Sequence, residues 1–221
     1  MRENKYGKFL TVLLIIVIIA IIILLGFFGY DVYKKLSTNR TAAKVIDEFN
    51  NSISEDDGEN TGDADVELIN PILNEEIIEQ TSQTGAKKVT YKGYNVVGTI
   101  EIPTINMKYP ILEKTTVDSI EIAVAVLYGP GPNQVGNTVI VGHNYRNGNF
   151  FGKNKQLKLG DKIYITDTSG TKIKYNIYNI YETTPDDGEY ITRDTNGRRE
   201  ISLSTCTDNS QNRLIIWAVE E

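Results

Sequence analysis

The 221-residue chain has one cysteine and one histidine. A single cysteine closes no internal disulfide, so the fold rests on its core. With one thiol and one imidazole there is no Cys/His set for a structural zinc ion. Basic excess is missing as well: the formal net charge is -6. Its distribution is uneven, with 7 Lys/Arg against 14 Asp/Glu in residues 1–86 and 16 against 15 in residues 87–221. A balanced C-terminal part offers no basic surface for phosphate backbones, which argues against a nucleic-acid partner.

What the chain has first is an unbroken apolar run. Residues 9–28 carry no charge, and at helical rise twenty residues span about 30 Å, the hydrocarbon thickness of a bilayer. A helix apolar on every side is no amphipathic face of a soluble domain. The run is longer than the apolar region of a signal peptide, and Gly26-Phe27-Phe28-Gly29-Tyr30 offers no small-x-small cleavage site. The expectation is an uncleaved transmembrane helix over residues 9–29 behind a short tail, 1–8. Arg2, Lys5 and Lys8 precede it while Lys34, Lys35 and Arg40 follow it, so charge alone leaves the orientation open.

Residues 30–90 read as a helical stalk and an acidic linker. Ala42, Val45, Ile46 and Phe49 recur at spacings of three and four, the signature of an amphipathic helix, with Asn50-Asn51-Ser52 as its expected end. Residues 54–65 are acidic and Gly-bearing without an apolar face, a solvated linker. They lack the Gly at position six and the Glu at position twelve of a calcium loop. Residues 71–90 are polar and largely featureless, which puts the start of the folded domain near Tyr91.

Residues 91–221 read as all-β: short β-branched and aromatic runs between turn signals. Residues 95–102 form one such run, closed by Pro103. Residues 108–112 form a second, and Pro110 suggests an edge position. Residues 119–128 lean to a short helix, and Gly129-Pro130-Gly131-Pro132 breaks the chain. Residues 137–142 form a buried strand running into His143. Residues 162–167 and 171–182 form a hairpin whose second strand shifts phase at Tyr178, as a bulge requires. Residues 200–205 and 213–219 are the last two strands.

Cys206 ends one of these last strands and Arg213 opens the other, with six polar turn-forming residues, 207–212, between them. If that loop closes an antiparallel hairpin, the two residues face each other about 5 Å apart at the backbone. A guanidinium beside a thiol favours the thiolate and can donate hydrogen bonds to an oxyanion. His143 lies in Gly142-His143-Asn144-Tyr145. A thiol nucleophile in acyl transfer needs a group to protonate the leaving amine, and this is the one side chain whose ordinary pKa suits the task. Spacing alone leaves open whether His143 is that partner or an unrelated turn residue.

Family resemblance decides it. Ser202-Leu203-Ser204-Thr205-Cys206, followed by a strand opening with Arg213, resembles the sortase signature Thr-Leu-X-Thr-Cys, with Ser202 in place of the first threonine. Residues 136–143, Gly-Asn-Thr-Val-Ile-Val-Gly-His, resemble the histidine strand of that family, and Phe150-Phe151 and residues 157–163 resemble the segment downstream of that strand. The resemblance implies a closed eight-stranded β-barrel with short helices, carried outside the cell membrane on a single-pass anchor. It implies a cysteine transpeptidase without a cofactor: Cys206 attacks the threonine carbonyl of an LPXTG-like C-terminal sorting signal, His143 moves the proton and Arg213 stabilises the oxyanion. Ser204, Thr205 and Asn144 are the candidate signal contacts.

Implied partners are signal-bearing surface proteins or pilins, and an acceptor amine from peptidoglycan precursor or a pilin. The only proline before the barrel, Pro71, lacks the Asp-Pro-aromatic context of a lid. Residues 182–199 are too short for a long helical insertion and are expected to form a wall of the signal groove. The same residues would also serve an anchored cysteine peptidase or amidase that hydrolyses, and a non-catalytic displayed β-domain remains a further alternative.

Overall fold

The computed structural model describes residues 5–56 and 88–221, so most of the expected acidic linker lies outside the described residues. The N-terminal apolar run forms part of one helix, α1 (Lys5–Asp56, 52 residues), about 78 Å long at 1.5 Å per residue. It is long and apolar enough to cross a membrane. Nothing interrupts it between the apolar run and residue 56: residues 30–56 hold neither Pro nor Gly, the residues that end or kink helices. Asn50-Asn51-Ser52 therefore does not stop it, contrary to expectation.

The remaining chain forms a barrel. Its strands are β1 (Thr90–Tyr91), β2 (Tyr94–Ile102), β3 (Met107–Leu112), β4 (Val124–Tyr128), β5 (Gly136–Val141), β6 (Lys162–Asp167), β7 (Lys172–Thr183), β8 (Arg199–Cys206) and β9 (Arg213–Glu220). The hydrogen-bonded order is β2-β3-β4-β5-β8-β9-β7-β6, and β6 pairs back onto β2. Eight strands close on themselves, and β1 is a short hairpin arm on β2. Closure removes the unpaired edges that an open sheet exposes. The interior holds Ile100, Ile111, Ile140, Ile165, Leu203 and Ile216, each essentially inaccessible to solvent. These alternate with outward residues along each strand, as the pleat requires.

Two local expectations change. β3 is an interior strand, antiparallel to β2 and parallel to β4. Pro110 is accommodated because β4 pairs β3 only at Ile111 and Leu112, which leaves that flank of Pro110 without a ladder to supply. The segment expected as helix over 119–128 divides: α2 (Val117–Ile120) starts at Thr116, whose hydroxyl accepts from the Ser119 N–H in a capping box, and most of the remainder is β4. The phase shift in β7 is a real irregularity, falling between Ile177 and Asn179 against β9.

The stalk half of α1 does not stand clear of the barrel. Ala42, Val45, Ile46 and Phe49 are buried. Ala42 joins the barrel core, and Val45 and Phe49 pack with Val89, Tyr91, Val96 and Leu112. The Tyr109 hydroxyl donates to Asn39 Oδ1 at 2.7 Å. Burying four apolar side chains is worth several kcal/mol, enough to hold helix and barrel together as one body. Phe49→Ala should therefore lower the unfolding free energy of the detergent-solubilised chain by about 3 kcal/mol. Urea unfolding checks this; a change under about 0.5 kcal/mol, the scale of an ordinary surface substitution, would mean the helix does not dock.

Candidate active site

Strand register assembles the site. In the antiparallel β8–β9 hairpin, Cys206 is the direct partner of Arg213, the pairing that the six-residue loop implied. The loop is closed by the Thr207 N–H donating to Asn212 O at 2.9 Å and the Ser210 N–H to Thr207 O at 2.8 Å. Ser210 adopts a left-handed φ of 58°. The hairpin places a guanidinium nitrogen of Arg213 2.9 Å from Cys206 Sγ.

His143 arrives from the other side of β8. β5 runs parallel to β8 with Val141 opposite Ser204. The pairing continues past the end of β5: the Thr205 hydroxyl donates to Gly142 O at 2.7 Å, and Asn144 Nδ2 donates to Cys206 O at 2.9 Å. Extending that register by two residues brings His143, beyond the end of β5, alongside Cys206. Gly142 before His143 leaves no room for a side chain, because a Cβ there would meet Val124 Cγ1 at 2.9 Å and the Phe151 ring at 3.1 Å.

The imidazole is held by a residue that the sequence alone does not single out. Glu121, at the end of α2, lies 3.1 Å from His143 Nε2 through Oε1. The other carboxylate oxygen accepts the Tyr145 hydroxyl, and the Tyr145 ring stands 5.0 Å from the imidazole. Burial, reinforced by the bond to Glu121, raises the Tyr145 phenol above its ordinary pKa, so it stays a donor. The arrangement orders His143 through a carboxylate, as in nucleophile–base–orienter sites. No sequence signal marks Glu121: it lies 22 residues before His143 in a stretch that reads as ordinary surface.

The other candidates divide by strand face. Asn144 bridges the loops, donating to Cys206 O and to Asp208 Oδ1 at 3.1 Å. The carboxyl of Asp208 is held below its usual pKa by the Lys155 ammonium and then by Asn144. Asn144 and Thr205 border a cleft of about 380 Å³ beside Cys206, together with Phe151, Ile180, Glu182 and Leu214. Ser204 is two residues from Cys206 on the same strand, hence on the same outer face. It is buried there, with its hydroxyl donating to the Tyr190 hydroxyl at 3.3 Å.

That face is covered by residues 184–198, the part between β7 and β8 of the 182–199 segment expected to wall a groove. It contains only a four-residue helix, α3 (Glu189–Thr192), whose Tyr190 packs with Val139 and Ile215. A buried network pins it. Glu200, with no side-chain exposure, pairs with Arg193 and with Arg198 at 2.6 Å, and the Tyr178 hydroxyl donates to it at 2.6 Å. Burial, together with that bond, pushes the Tyr178 phenol up to about 12. Asn137 Nδ2 donates to the backbone oxygens of Tyr190 and Ile191 at 2.9 and 3.0 Å. Among the described residues, no group of His, Cys, Asp and Glu is arranged to hold a metal ion.

The fold and this rim define a class: a closed β-barrel presenting a thiol, an imidazole and a guanidinium at adjacent strand ends. A family model for the sortase domain matches residues 100–221, over half of the chain, and the chain belongs to the sortase family. It is 33% identical over 127 residues to Sortase A of Bacillus anthracis, covering 54% of this chain and 58% of that protein. It is 27% identical over 150 residues to Sortase A of Listeria monocytogenes, covering 66% of each. The matches thus span less than two thirds of these relatives. Among solved structures it resembles Sortase A from Corynebacterium diphtheriae, at TM-score 0.53 and 30% identity over 58% of this chain and 61% of that one. It also resembles a Clostridium perfringens Sortase D5 transpeptidase, at TM-score 0.52 and 26% identity over 57% and 79%.

The lone histidine makes the role of Glu121 directly observable. In ¹⁵N-labelled protein, Glu121→Ala should move the Nε2 resonance of the single imidazole clearly while the fold is retained, and Tyr145→Phe should move it less. An unchanged Nε2 in Glu121→Ala would show that the carboxylate does not hold the ring.

Proposed function

We propose that this sortase is a cysteine transpeptidase that cuts an LPXTG-like sorting signal after its threonine and transfers the protein to an amine. The observation that carries the reading is the Arg213 nitrogen 2.9 Å from Cys206 Sγ, with His143 on the loop that leaves β5 beside Cys206. In the first half-reaction the Cys206 sulfur adds to the threonine carbonyl carbon, and the oxyanion is met by the Arg213 guanidinium. The tetrahedral adduct collapses with cleavage of the C–N bond, and protonated His143 gives its proton to the departing amine. A thioacyl enzyme remains. In the second half-reaction an incoming amine attacks the same carbon, His143 takes its proton, and sulfur leaves as the thiolate.

Glu121 orients the ring through both steps, and no cofactor enters. Asn144 and Thr205 border the signal, and Ser204 backs the floor beneath Tyr190. The acceptor is an amine of cell-wall precursor or of a pilin. With α1 as a single-pass anchor, the barrel stands on the outer face of a Gram-positive cell membrane.

Transfer and hydrolysis use the same residues, so the products distinguish them. With signal peptide and excess amine, the full chain should yield mostly amide. Cys206→Ala should yield none, and Arg213→Lys, which loses the planar fork, should lose about 100-fold in kcat with KM changed far less. Hydrolysis alone, across several amines in excess, would replace the transpeptidase reading with a peptidase.

A further inference from the structure

Helix α1 gives the barrel a direction. Lys35 and Asn39, nearest the apolar run, share a cavity with Ile105, Met107, Gly148 and Lys153. Ile53, near the far end of α1, abuts Gly170 in the β6–β7 turn. The helix thus passes from one end of the barrel to the other.

The strand registers identify those ends. Ile102 pairs Met107, and β6 runs from Lys162 beside that turn to Asp167 opposite Gly98. β7 returns from the β6–β7 turn and ends with Thr183 opposite Arg213. Arg213 faces Cys206, and the β5 end leading to His143 lies alongside. Gly148 and Lys153 lie on the loop after His143, which is joined back by the Asn144–Phe150 bridge. Cys206, His143 and Arg213 therefore occupy the barrel end that meets the part of α1 nearest the apolar run.

That end also lies close to the run itself. Lys35 lies seven residues beyond Phe28, a rise of about 10 Å, only slightly more than the polar layer on one side of a bilayer. The rim there carries Lys108, Arg146, Lys155 and Lys158, and Leu159 projects from it with 65% of its surface exposed. Lys155 pairs with Asp208, whose carboxyl also feels Arg146. Asp161 accepts from the Lys158 N–H and the Thr104 hydroxyl. The ammonium groups of Lys108 and Lys158 have no ion-pair partner among the described residues. Two unpaired lysines and an exposed leucine on the same barrel end match the chemistry of an anionic bilayer surface.

We propose that the catalytic end of the barrel faces the bilayer, with Lys108, Lys158 and Leu159 against anionic lipid headgroups, so that substrate is met at the membrane surface. The proposal rests on α1 spanning the membrane, and it goes further: a docked, unbroken helix fixes which way Cys206 points. A flexible tether would leave every orientation open.

The sole cysteine supplies the probe. The full chain is reconstituted in vesicles of phosphatidylcholine and phosphatidylglycerol containing an acceptor-labelled lipid. A donor dye is placed on Cys206, or on Leu159→Cys or Thr168→Cys in a Cys206→Ser background. The length of β8 separates the two barrel ends by about 20 Å after strand tilt. Energy transfer from Cys206 and Leu159→Cys should be at least twofold that from Thr168→Cys. Adding Lys108→Glu and Lys158→Glu to the Leu159→Cys chain should reduce its transfer. Equal transfer from the two ends in a chain that floats with the vesicles would overturn the orientation alone, and so would higher transfer from Thr168→Cys. A chain that does not float with the vesicles would overturn the membrane span, and the orientation with it.

Discussion

The structure depends on the register of β8 between its two neighbours. The side-chain period of a strand is two, so a slip of one residue against β9 would turn Arg213 away from Cys206. A slip against β5 would carry His143 off the level of the sulfur. Both registers are secured from within the barrel, by Leu203 against Ile140 on one side and Ile216 on the other. Cys206 and Arg213 are thus placed by strands whose packing is set in the core, and His143 follows two residues beyond the end of β5.

A second layer holds the side chains once the strands have placed them. Glu121 and Tyr145 orient the imidazole. Asn144 ties the histidine loop to the cysteine backbone and to Asp208. Behind them the Glu200–Arg193 pair, nearly all of it out of solvent, anchors the short segment over the outer face. Removing Glu200 would leave the largely buried Arg193 without its carboxylate, at about 3–5 kcal/mol, whereas loss of Arg193 leaves Glu200 paired with Arg198. The segment is held by these contacts although its only helix has four residues.

Much of this was legible in the sequence, and for physical reasons. Alternation and turn chemistry marked the strands after residue 90, and a six-residue polar loop between Cys206 and Arg213 implied their pairing. The phase shift at Tyr178 read correctly as an irregularity. The misreadings came where long-range pairing outweighs local pattern. Pro110 suggests an edge, but β4 docks on only part of β3; residues 119–128 read as helix, but β5 draws about half of them into a strand. The docking of Ala42, Val45, Ile46 and Phe49 onto the barrel was visible only as an apolar stripe without a partner. Glu121 was invisible because nothing in the chain's order ties a surface carboxylate to a histidine 22 residues on.

The central claim is that these registers make Cys206 a nucleophile toward a peptide carbonyl. Its most direct test is the intact mass of the full chain after brief exposure to an LPXTG-type peptide without added amine, with acid quenching and peptide mapping afterwards. The account predicts a mass increase equal to the acyl fragment ending in threonine, located on Cys206. An unmodified chain across a library of such signals, or an adduct on any other residue, would contradict it.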